Sequence, residues 1–267
     1  GGAGRLQLWN LTLEATSLVL LPRPGSTAAL RLARLEAARV QYDSPPPDGQ
    51  PRRAPASLQL PIDLQVDALA IAALQVDAQP LVRDLRGALA LGADGGRHHR
   101  VDDLRLVLET GHPGAAAPLA LRARLLVGTA MPMAVEAQVD AAAPARGTAP
   151  AWQAVLRLRG PLAALQAEAA LSGTTPDAPS LQASASLRPF AAWPLGALDL
   201  RTQALDLAAL SPQWPTTRLN GRARLQTAGL DRPAQIDLTF DNSAPGPWDS
   251  GRLPLRQLQV EASGRPD

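Results

Sequence analysis

The pentapeptide Leu64-Gln65-Val66-Asp67-Ala68 returns ten residues later as Leu74-Gln75-Val76-Asp77-Ala78, and looser copies begin at Leu165, Leu181 and Leu258. Each copy alternates apolar and polar residues with a period of two. Successive side chains of an extended strand point to opposite faces, so one face of each copy is apolar and the other polar. Copies laid side by side therefore predict one broad sheet with a continuous apolar face.

Alternating runs separated by turns recur about every ten residues, which is typical of an antiparallel meander. The clearest run is Ser57–Val76, in which the apolar phase shifts at Leu69 and Ile71. The Gly- and Asp-rich residues 92–100 predict one hairpin turn and residues 128–130 another. No segment requires a helix. The sequence thus predicts an all-β fold.

A longer internal repeat supports an array of similar units. Ile62–Leu74 aligns without gaps with Leu198–Leu210 and shares seven of thirteen positions. Repeats of this kind predict a stacked protein in which each unit contacts only its neighbours.

Composition favours an open apolar surface over a closed core. Hydrophobic residues make up 46% of the 267 positions, but aromatic residues only 3%, whereas sandwich cores of this size usually rely on several large rings. We expect leading strands in residues 1–43, a proline-rich exposed loop in residues 44–56, and a repetitive β segment in residues 57–267.

The charges indicate a solvated face. The 26 basic residues, all Arg, lie singly between apolar positions and nearly balance 24 acidic residues, so no nucleic-acid partner is expected. The absence of cysteine excludes disulfides and thiolate metal sites. The chain does not begin with Met and has no apolar run near the roughly 20 residues that span a bilayer. We expect it to be a piece of a longer protein.

No catalytic or metal-binding constellation is evident. His98 and His99 lie near Asp94, Asp102 and Asp103, but adjacent strand residues point to opposite faces and no third ligand has a recognised spacing. A solvated hairpin tip is the favoured interpretation. The six Glu residues occur singly, and the common nucleotide-binding, hydrolase and metalloprotease motifs are missing. The chain is therefore expected not to be an enzyme and to need no cofactor.

Several stretches carry a resemblance to a known family. Leu60-Pro61-Ile62 leads into VDALAIAAL, and LSG follows at Leu171–Gly173. More specific are LRPFAAWPL at Leu187–Leu195, LDLAALSPQWPTTRLNGRARL at Leu205–Leu225 and DNSAPGPWDSGRLPL at Asp241–Leu255. With these stretches the chain resembles the TamB family of AsmA-like proteins over about three quarters of its length, and residues 1–56 match more weakly.

The resemblance implies a periplasmic protein held in the inner membrane by an N-terminal helix. It implies a long antiparallel sheet curled into an open, taco-like (U-shaped) groove with an apolar interior. It further implies phospholipid passage between the membranes, support of outer-membrane assembly, and an outer-membrane β-barrel partner. The anchor and the partner-binding part lie outside this chain.

Under this hypothesis the apolar positions of the alternating runs line a lipid groove. The expected lining residues are Leu58, Leu60, Ile62, Leu64, Val66, Leu104, Leu106, Leu108, Leu119, Leu121, Leu125, Val127, Met133, Val135, Val139, Ile236, Leu238 and Phe240. A structural or chaperone-like scaffold, which would hold barrel strands by β-augmentation, is the alternative. An enzyme on a β-solenoid is the third hypothesis, and it lacks a carboxylate cluster.

Overall fold

The computed structural model describes residues 5–23, 26–44, 53–77, 79–110, 117–145, 150–175, 178–210, 214–227 and 233–264. Within these ranges fifteen strands follow one another: β1 (Arg5–Trp9), β2 (Thr12–Arg23), β3 (Ser26–Asp43), β4 (Ile62–Val76), β5 (Gln79–Gly92), β6 (His98–Thr110), β7 (Ala117–Gly128), β8 (Ala134–Ala143), β9 (Trp152–Pro161), β10 (Leu165–Gly173), β11 (Ser180–Leu187), β12 (Leu195–Leu205), β13 (Leu219–Thr227), β14 (Ala234–Asn242) and β15 (Gln257–Gly264). Two one-turn helices, α1 (Ala93–Gly96) and α2 (Leu207–Leu210), and a 3-10 turn (Trp248–Ser250) interrupt them.

All fifteen strands belong to one sheet whose two ends do not meet. The order is β1-β3-β4 and then consecutive to β15, and β2 pairs with the half of β3 that β1 leaves open. The prediction of one long, unclosed all-β sheet is confirmed. The chain divides into two compact units, Gly1–Glu109 with Pro118–Val139 and Thr110–Ala117 with Asp140–Asp267, which are called unit 1 and unit 2 below.

One pairing departs from the predicted antiparallel meander. β3 and β4 run parallel over the register from Ala28↔Ile62 to Tyr42↔Val76. A parallel neighbour requires the chain to return to the end at which β3 began. The connection between Asp43 and Ile62 makes this return. Residues 45–52 of the expected proline-rich loop lie outside the described residues, and residues 53–61 form no strand.

In unit 1 the register places apolar residues in rows across the strands. One row joins Leu18, Leu30, Leu64 and Leu91. A second row joins Leu32, Val66, Leu89 and Val101. Apolar side chains that face one another across strands stabilise the pairing. The rows therefore explain why the alternating runs fold at this register.

Irregularities in the ladders keep the apolar residues of unit 1 on one face. The β4–β5 register shifts between Val66 and Leu69, at the point where the sequence predicted a change of phase. Asp84 and Asp103 adopt positive φ angles of 51° and 46° at shifts in the next pair. Asp tolerates this region better than most residues do, and an extra residue in a strand restores the facing of those that follow.

Unit 2 repeats the arrangement without a parallel pair. The central row of its face runs Leu156–Ala169–Ala183–Leu200–Ala223–Leu238–Val260, one residue from each strand between β9 and β15. The six pairs that these strands form are all antiparallel. The register is regular except at the two ends of β12.

Some strand limits differ from those predicted. Ser57–Pro61 was expected to continue the strand of β4 but does not pair in the sheet; Pro61 has no amide hydrogen for a ladder bond, and the Leu58 amide donates instead to the Thr129 carbonyl (2.8 Å). Among the leading strands expected in residues 1–43, β1 and β2 are separated by a break at Asn10, whose φ is 52°. The end of the second long repeat is helix α2 rather than strand.

Candidate functional site

The candidate site is the apolar face of the sheet, which is clearest in unit 2. Residues of the central row alternate along each strand with residues of the opposite face. Five of the seven are half-buried, namely Ala169, Ala183, Leu200, Leu238 and Val260, whereas Leu156 is exposed and Ala223 is buried. In a two-layer sandwich the inner faces of both sheets are buried against each other. Half-burial is what a single sheet with no second layer produces.

Contacts between the elements agree with a single layer. Among the described elements, the substantial contacts join neighbours in the sheet, and α1 touches β4 and β5. Each strand of unit 2 therefore packs mainly against the strands to which it is hydrogen-bonded. Within unit 2, the described contacts therefore place no second layer of strands on the apolar face.

The opposite face of unit 2 carries the charges that the sequence scatters between apolar positions. Asp199 lies opposite Arg224, and the carboxylate accepts a hydrogen bond from Nε at 3.0 Å. Arg222 reaches Asp237 at 3.5 Å. These pairs are exposed, so their contribution to stability is small. They mark the water-facing side of the sheet and thereby define which side is apolar.

In unit 1 the structure places most of the predicted lining residues on one face. Ile62, Leu64 and Val66 stand in the apolar rows, and Leu108 pairs with Val82. The other predicted positions of β6 to β8 are half-buried or buried: Leu104, Leu106, Leu119, Leu121, Leu125, Val127, Val135 and Val139. Arg122 and Arg124 lie on the opposite face, where they approach Asp103 (3.7 Å) and Gln138 (2.7 Å).

Leu58 and Leu60 differ from the other predicted lining residues because they lie before β4, in the segment that returns from β3. The carbonyl of Leu58 is 2.7 Å from Nε2 of His99, and Leu60 is 39% exposed. They are therefore no part of the strand array. In unit 2, Ile236, Leu238 and Phe240 do stand in the apolar rows.

His99 has a structural part that the sequence did not indicate. Its Nδ1 accepts a hydrogen bond from the Gly92 amide (3.1 Å), so the ring proton must be on Nε2, which donates to Leu58. His98 instead contacts Asp94 (3.0 Å). The two rings point apart, as expected for strand neighbours. Half-buried His99 fastens the return segment to β6 rather than lying at a solvated tip.

One end of unit 1 is closed by the turn after β7. The Thr129 hydroxyl donates to the Gly96 carbonyl (2.6 Å), and its amide donates to the carbonyl of Arg97 (2.9 Å). Thr129 is 1% exposed, and so is Met133, a predicted lining residue that fills the turn. This turn thus joins α1 and the return segment into a cap. Met131, in contrast, is 66% exposed and lies outside β8.

One end of unit 2 is closed by α2. Nε1 of Trp152 donates a hydrogen bond to the Ala209 carbonyl (3.1 Å), and Trp152 is 7% exposed. Beside it a buried polar network holds the loops: the Asn242 carboxamide oxygen accepts from the Arg218 amide (3.0 Å), and its nitrogen donates to the Leu255 carbonyl (3.1 Å). The apolar face of unit 2 is therefore covered at the end where α2 lies.

Several residues of the apolar faces were not among those predicted. They are Leu18, Leu30, Leu32, Leu89 and Leu91 in unit 1 and Leu156, Leu158, Leu198, Leu200 and Leu225 in unit 2. Each stands in an alternating run, so the period-two signal was present in the sequence. What the sequence lacked was the register that places these runs side by side.

Two carboxylates on the polar side of unit 1, those of Asp67 and Asp103, have lowered pKa values. A hydrogen bond from Gln65, followed by one from Arg31, lowers the pKa of Asp67. The guanidinium of Arg105 lowers the pKa of Asp103, and that carboxylate in turn raises the pKa of Arg105. All three groups are exposed partners in ion pairs, so they fit a solvated surface and no catalytic arrangement.

Within the described ranges, no cluster of three His, Asp or Glu side chains is placed to hold a metal ion. No helix in the described part of the chain is both long and apolar enough to cross a membrane. The arrangement offers binding to an apolar surface as its main chemistry. Comparisons of the chain with family models, with curated proteins and with solved structures gave no match.

Proposed function

We propose that the chain is a segment of a lipid-conducting sheet, on whose apolar face phospholipid acyl chains lie while the opposite face meets water. The observation that carries the proposal is the row of mostly half-buried apolar side chains through seven strands of unit 2, on which the described contacts within this unit place no second layer of strands. A contiguous apolar surface that is not covered by other protein marks a binding site in soluble proteins.

The energetics favour acyl chains as the occupant. Moving a methylene group from water to an apolar surface contributes about 0.8 kcal/mol, so a chain lying along several strands gains substantially without any specific polar contact. A nine-residue strand such as β10 is about 30 Å long, and each leaflet of a bilayer core is about 15 Å thick. The face is therefore long enough for one acyl chain along a strand.

The cellular setting is proposed from the resemblance to the TamB family. In this setting the chain lies in the periplasm, in a longer protein whose inner-membrane anchor and outer-membrane β-barrel partner involve segments outside this chain. Phospholipids would pass along the sheet between the two membranes and support outer-membrane assembly. The segment has no catalytic part in this process.

A charge on the apolar face tests the proposal. Leu200 lies mid-row and half-buried, and an Arg there places a cation among acyl chains, although its long side chain can reach the edge of the lipid layer. We expect Leu200→Arg to fold, and lipid co-purifying with the chain, measured by extraction and mass spectrometry, to fall at least about tenfold.

The matched control is Ser184→Arg, which adds the same charge to the exposed face between Glu168 and Asp199. Its lipid content should equal that of the unchanged chain. Equal lipid content in Leu200→Arg, or no lipid in the unchanged chain, would refute the conduit.

The scaffold hypothesis has one observation in its favour. β1 and β2 form the outer edge of β3, and the exposed side chains on this edge include Leu6, Leu13 and Leu18 at 59%, 54% and 69%. An edge strand of this kind can pair with an added strand. A lipid-free chain that binds an extended strand peptide at this edge would favour the scaffold over the conduit.

A further inference from the structure

The one-turn helix α2 lies across the apolar face of unit 2. Trp152 is on that face, because Trp152, Ala154 and Leu156 are spaced two residues apart along β9 and therefore point to the same side of the sheet. Its indole reaches the Ala209 carbonyl in α2, which directly follows β12. β9 and β12 are three strand spacings apart, about 14 Å along the sheet. α2 must therefore turn back over the ends of β10 and β11 to meet Trp152.

Burial changes sharply along the face beside α2. Leu171 and Leu205, at the strand ends next to the helix, are 8% and 5% exposed. Leu156 lies in the adjacent row, because it pairs with Ala169 while Ala154 pairs with Leu171, and it is 37% exposed. The apolar face is thus buried next to α2, and in β9 it becomes exposed one row further along, at Leu156.

Hydrogen bonds fasten α2 at its beginning as well as at its end. The Asp206 carboxylate accepts from the amides of Ala208 (3.1 Å) and Thr217 (3.0 Å). The buried Thr217 hydroxyl donates to the Leu205 carbonyl (3.0 Å) and accepts from the Leu207 amide (3.0 Å). Together with the bond from Trp152 to Ala209, these hydrogen bonds hold α2 at both its beginning and its end. Its position over Leu171 is therefore specified by side chains.

We infer that α2 is a stop for the acyl chain in unit 2: the terminal methyl end of a phospholipid chain lies against Trp152 and α2, and the rest of the chain extends away from α2 over the half-buried middle of these strands. The inference rests on the proposed function. If α2 is such a stop, the apolar face of unit 2 accommodates only a limited length at the methyl end of one acyl chain. A longer chain reaches the rows beneath α2 only when the helix is displaced.

The test uses the 267-residue chain and a phospholipid with a photoactivatable diazirine at the terminal carbon of one acyl chain. The lipid is supplied in vesicles of phosphatidylethanolamine and phosphatidylglycerol, and labelled peptides are located by mass spectrometry. In the unchanged chain we expect label near Trp152 and Leu156 and little on Leu171 or Leu205.

Trp152→Phe removes the bond to α2 and keeps an aromatic ring. Label on Leu171 and Leu205 should rise about fivefold, the factor by which losing one hydrogen bond of ordinary strength shifts an open–closed equilibrium. Trp248→Phe is the matched control, because Trp248 is 66% exposed and the change there frees no helix. Thr217→Val, which loosens α2 at its beginning, should act in the same direction as Trp152→Phe.

Three outcomes would overturn the inference. Label as strong on Leu171 as on Leu156 in the unchanged chain would mean that α2 stops nothing. Unchanged label in both Trp152→Phe and Thr217→Val would show that α2 does not control access. The absence of label anywhere on the apolar face would refute the proposed function itself and the inference with it, whereas the first two results leave the conduit standing.

Discussion

Ile62–Leu74 and Leu198–Leu210 share seven of thirteen residues, yet the first is strand throughout and the second leaves the sheet after Leu205 to form α2. The difference arises from the strands that flank each copy of the repeat. β4 is flanked by β3 from Ile62 to Val76 and by β5 from Leu64 to Val76. β12 has no paired strand residue beyond Leu205, because β11 begins at Ser180, opposite Gln203, and β13 begins at Leu219, opposite Leu205.

Backbone groups without a neighbouring strand must find other partners. Asp206, which stands where the first copy has Ala70, supplies one by accepting from the Ala208 and Thr217 amides. The apolar residues Leu207–Leu210, which correspond to strand residues in the first copy of the repeat, then form the helical turn α2. The comparison shows that alternation specifies a strand only where the sheet offers partners on both sides.

The largest expected effect comes from a substitution at Val66, the most buried residue of Ile62–Leu74, which is the first copy of the repeat. Val66 is 1% exposed in a row with Leu32 and Leu89. Val66→Asp buries a carboxylate without a partner, so we expect unit 1 to lose at least about 3 kcal/mol of stability, measured by urea denaturation. The control is the equivalent position of the second copy: Thr202→Val removes only the bond to the Ser180 carbonyl (2.8 Å) and should cost about 1 kcal/mol. Equal losses in the two variants would contradict the buried row.

A smaller effect is expected from removing the group that starts the helix in the second copy. Asp206→Ala takes away the acceptor of two amides and should cost about 1 kcal/mol. Trp152 should become more exposed as α2 loosens, so the tryptophan emission should move to longer wavelength. Asp249→Ala, at the exposed 3-10 turn, is the control and should change neither measurement. An unshifted emission with Asp206→Ala would mean that α2 does not depend on this carboxylate.

The reverse exchange sharpens the comparison with a still smaller effect. Ala70→Asp gives the first copy the residue found in the second, but β3 and β5 still flank it, with Glu36 and Arg86 directly opposite. Repulsion by Glu36 and attraction by Arg86 roughly cancel, so we expect a change below about 0.5 kcal/mol. Circular dichroism should show no gain of helix. A gain would mean that the residue alone, rather than its neighbours, decides the conformation.

The smallest effect concerns pH. Gln65 and Arg31 lower the pKa of Asp67, so the stability contributed by its carboxylate is present above the unfolded pKa, about 3.9, and is lost as the pH falls through the lowered value. The thermal midpoints of the unchanged chain and of Asp67→Asn should therefore differ slightly at pH 6 and converge below pH ~4. Gln65→Leu removes the hydrogen bond that is the largest cause of the lowered pKa of Asp67. The pH at which the two midpoints converge should therefore rise. A difference that grows on acidification would contradict the assignment.

Much of the fold followed from the alternation of residues. The all-β class, the hairpin between β5 and β6 and the change of phase at Leu69 were predicted because each depends on residues close in sequence. The parallel β3–β4 pair was missed, since strand direction depends on where a long connection returns. α2 was missed because its apolar residues fit either conformation and its fastening comes from Thr217, outside the repeat.

The candidate site was predicted in the same uneven way. Ile62, Leu64 and Val66 share one face of β4, as their unbroken alternation predicts, and they lie opposite Ala28, Leu30 and Leu32 of β3. Leu58 continued the same pattern, yet its amide bonds to Thr129, 71 positions further along the chain. No local pattern reports such a contact. Whether lipid occupies the face is still a prediction.

The parallel β3–β4 pair has a consequence for how a sheet of this kind can change in length. In an antiparallel meander every added strand reverses the chain, so strands can be gained or lost only as hairpins, each widening the sheet by about 9.6 Å, if the rest is to keep its direction. The return segment between Asp43 and Ile62 resets the direction. At this joint, a single strand rather than a pair could be inserted or deleted while every later strand kept its orientation and its apolar side.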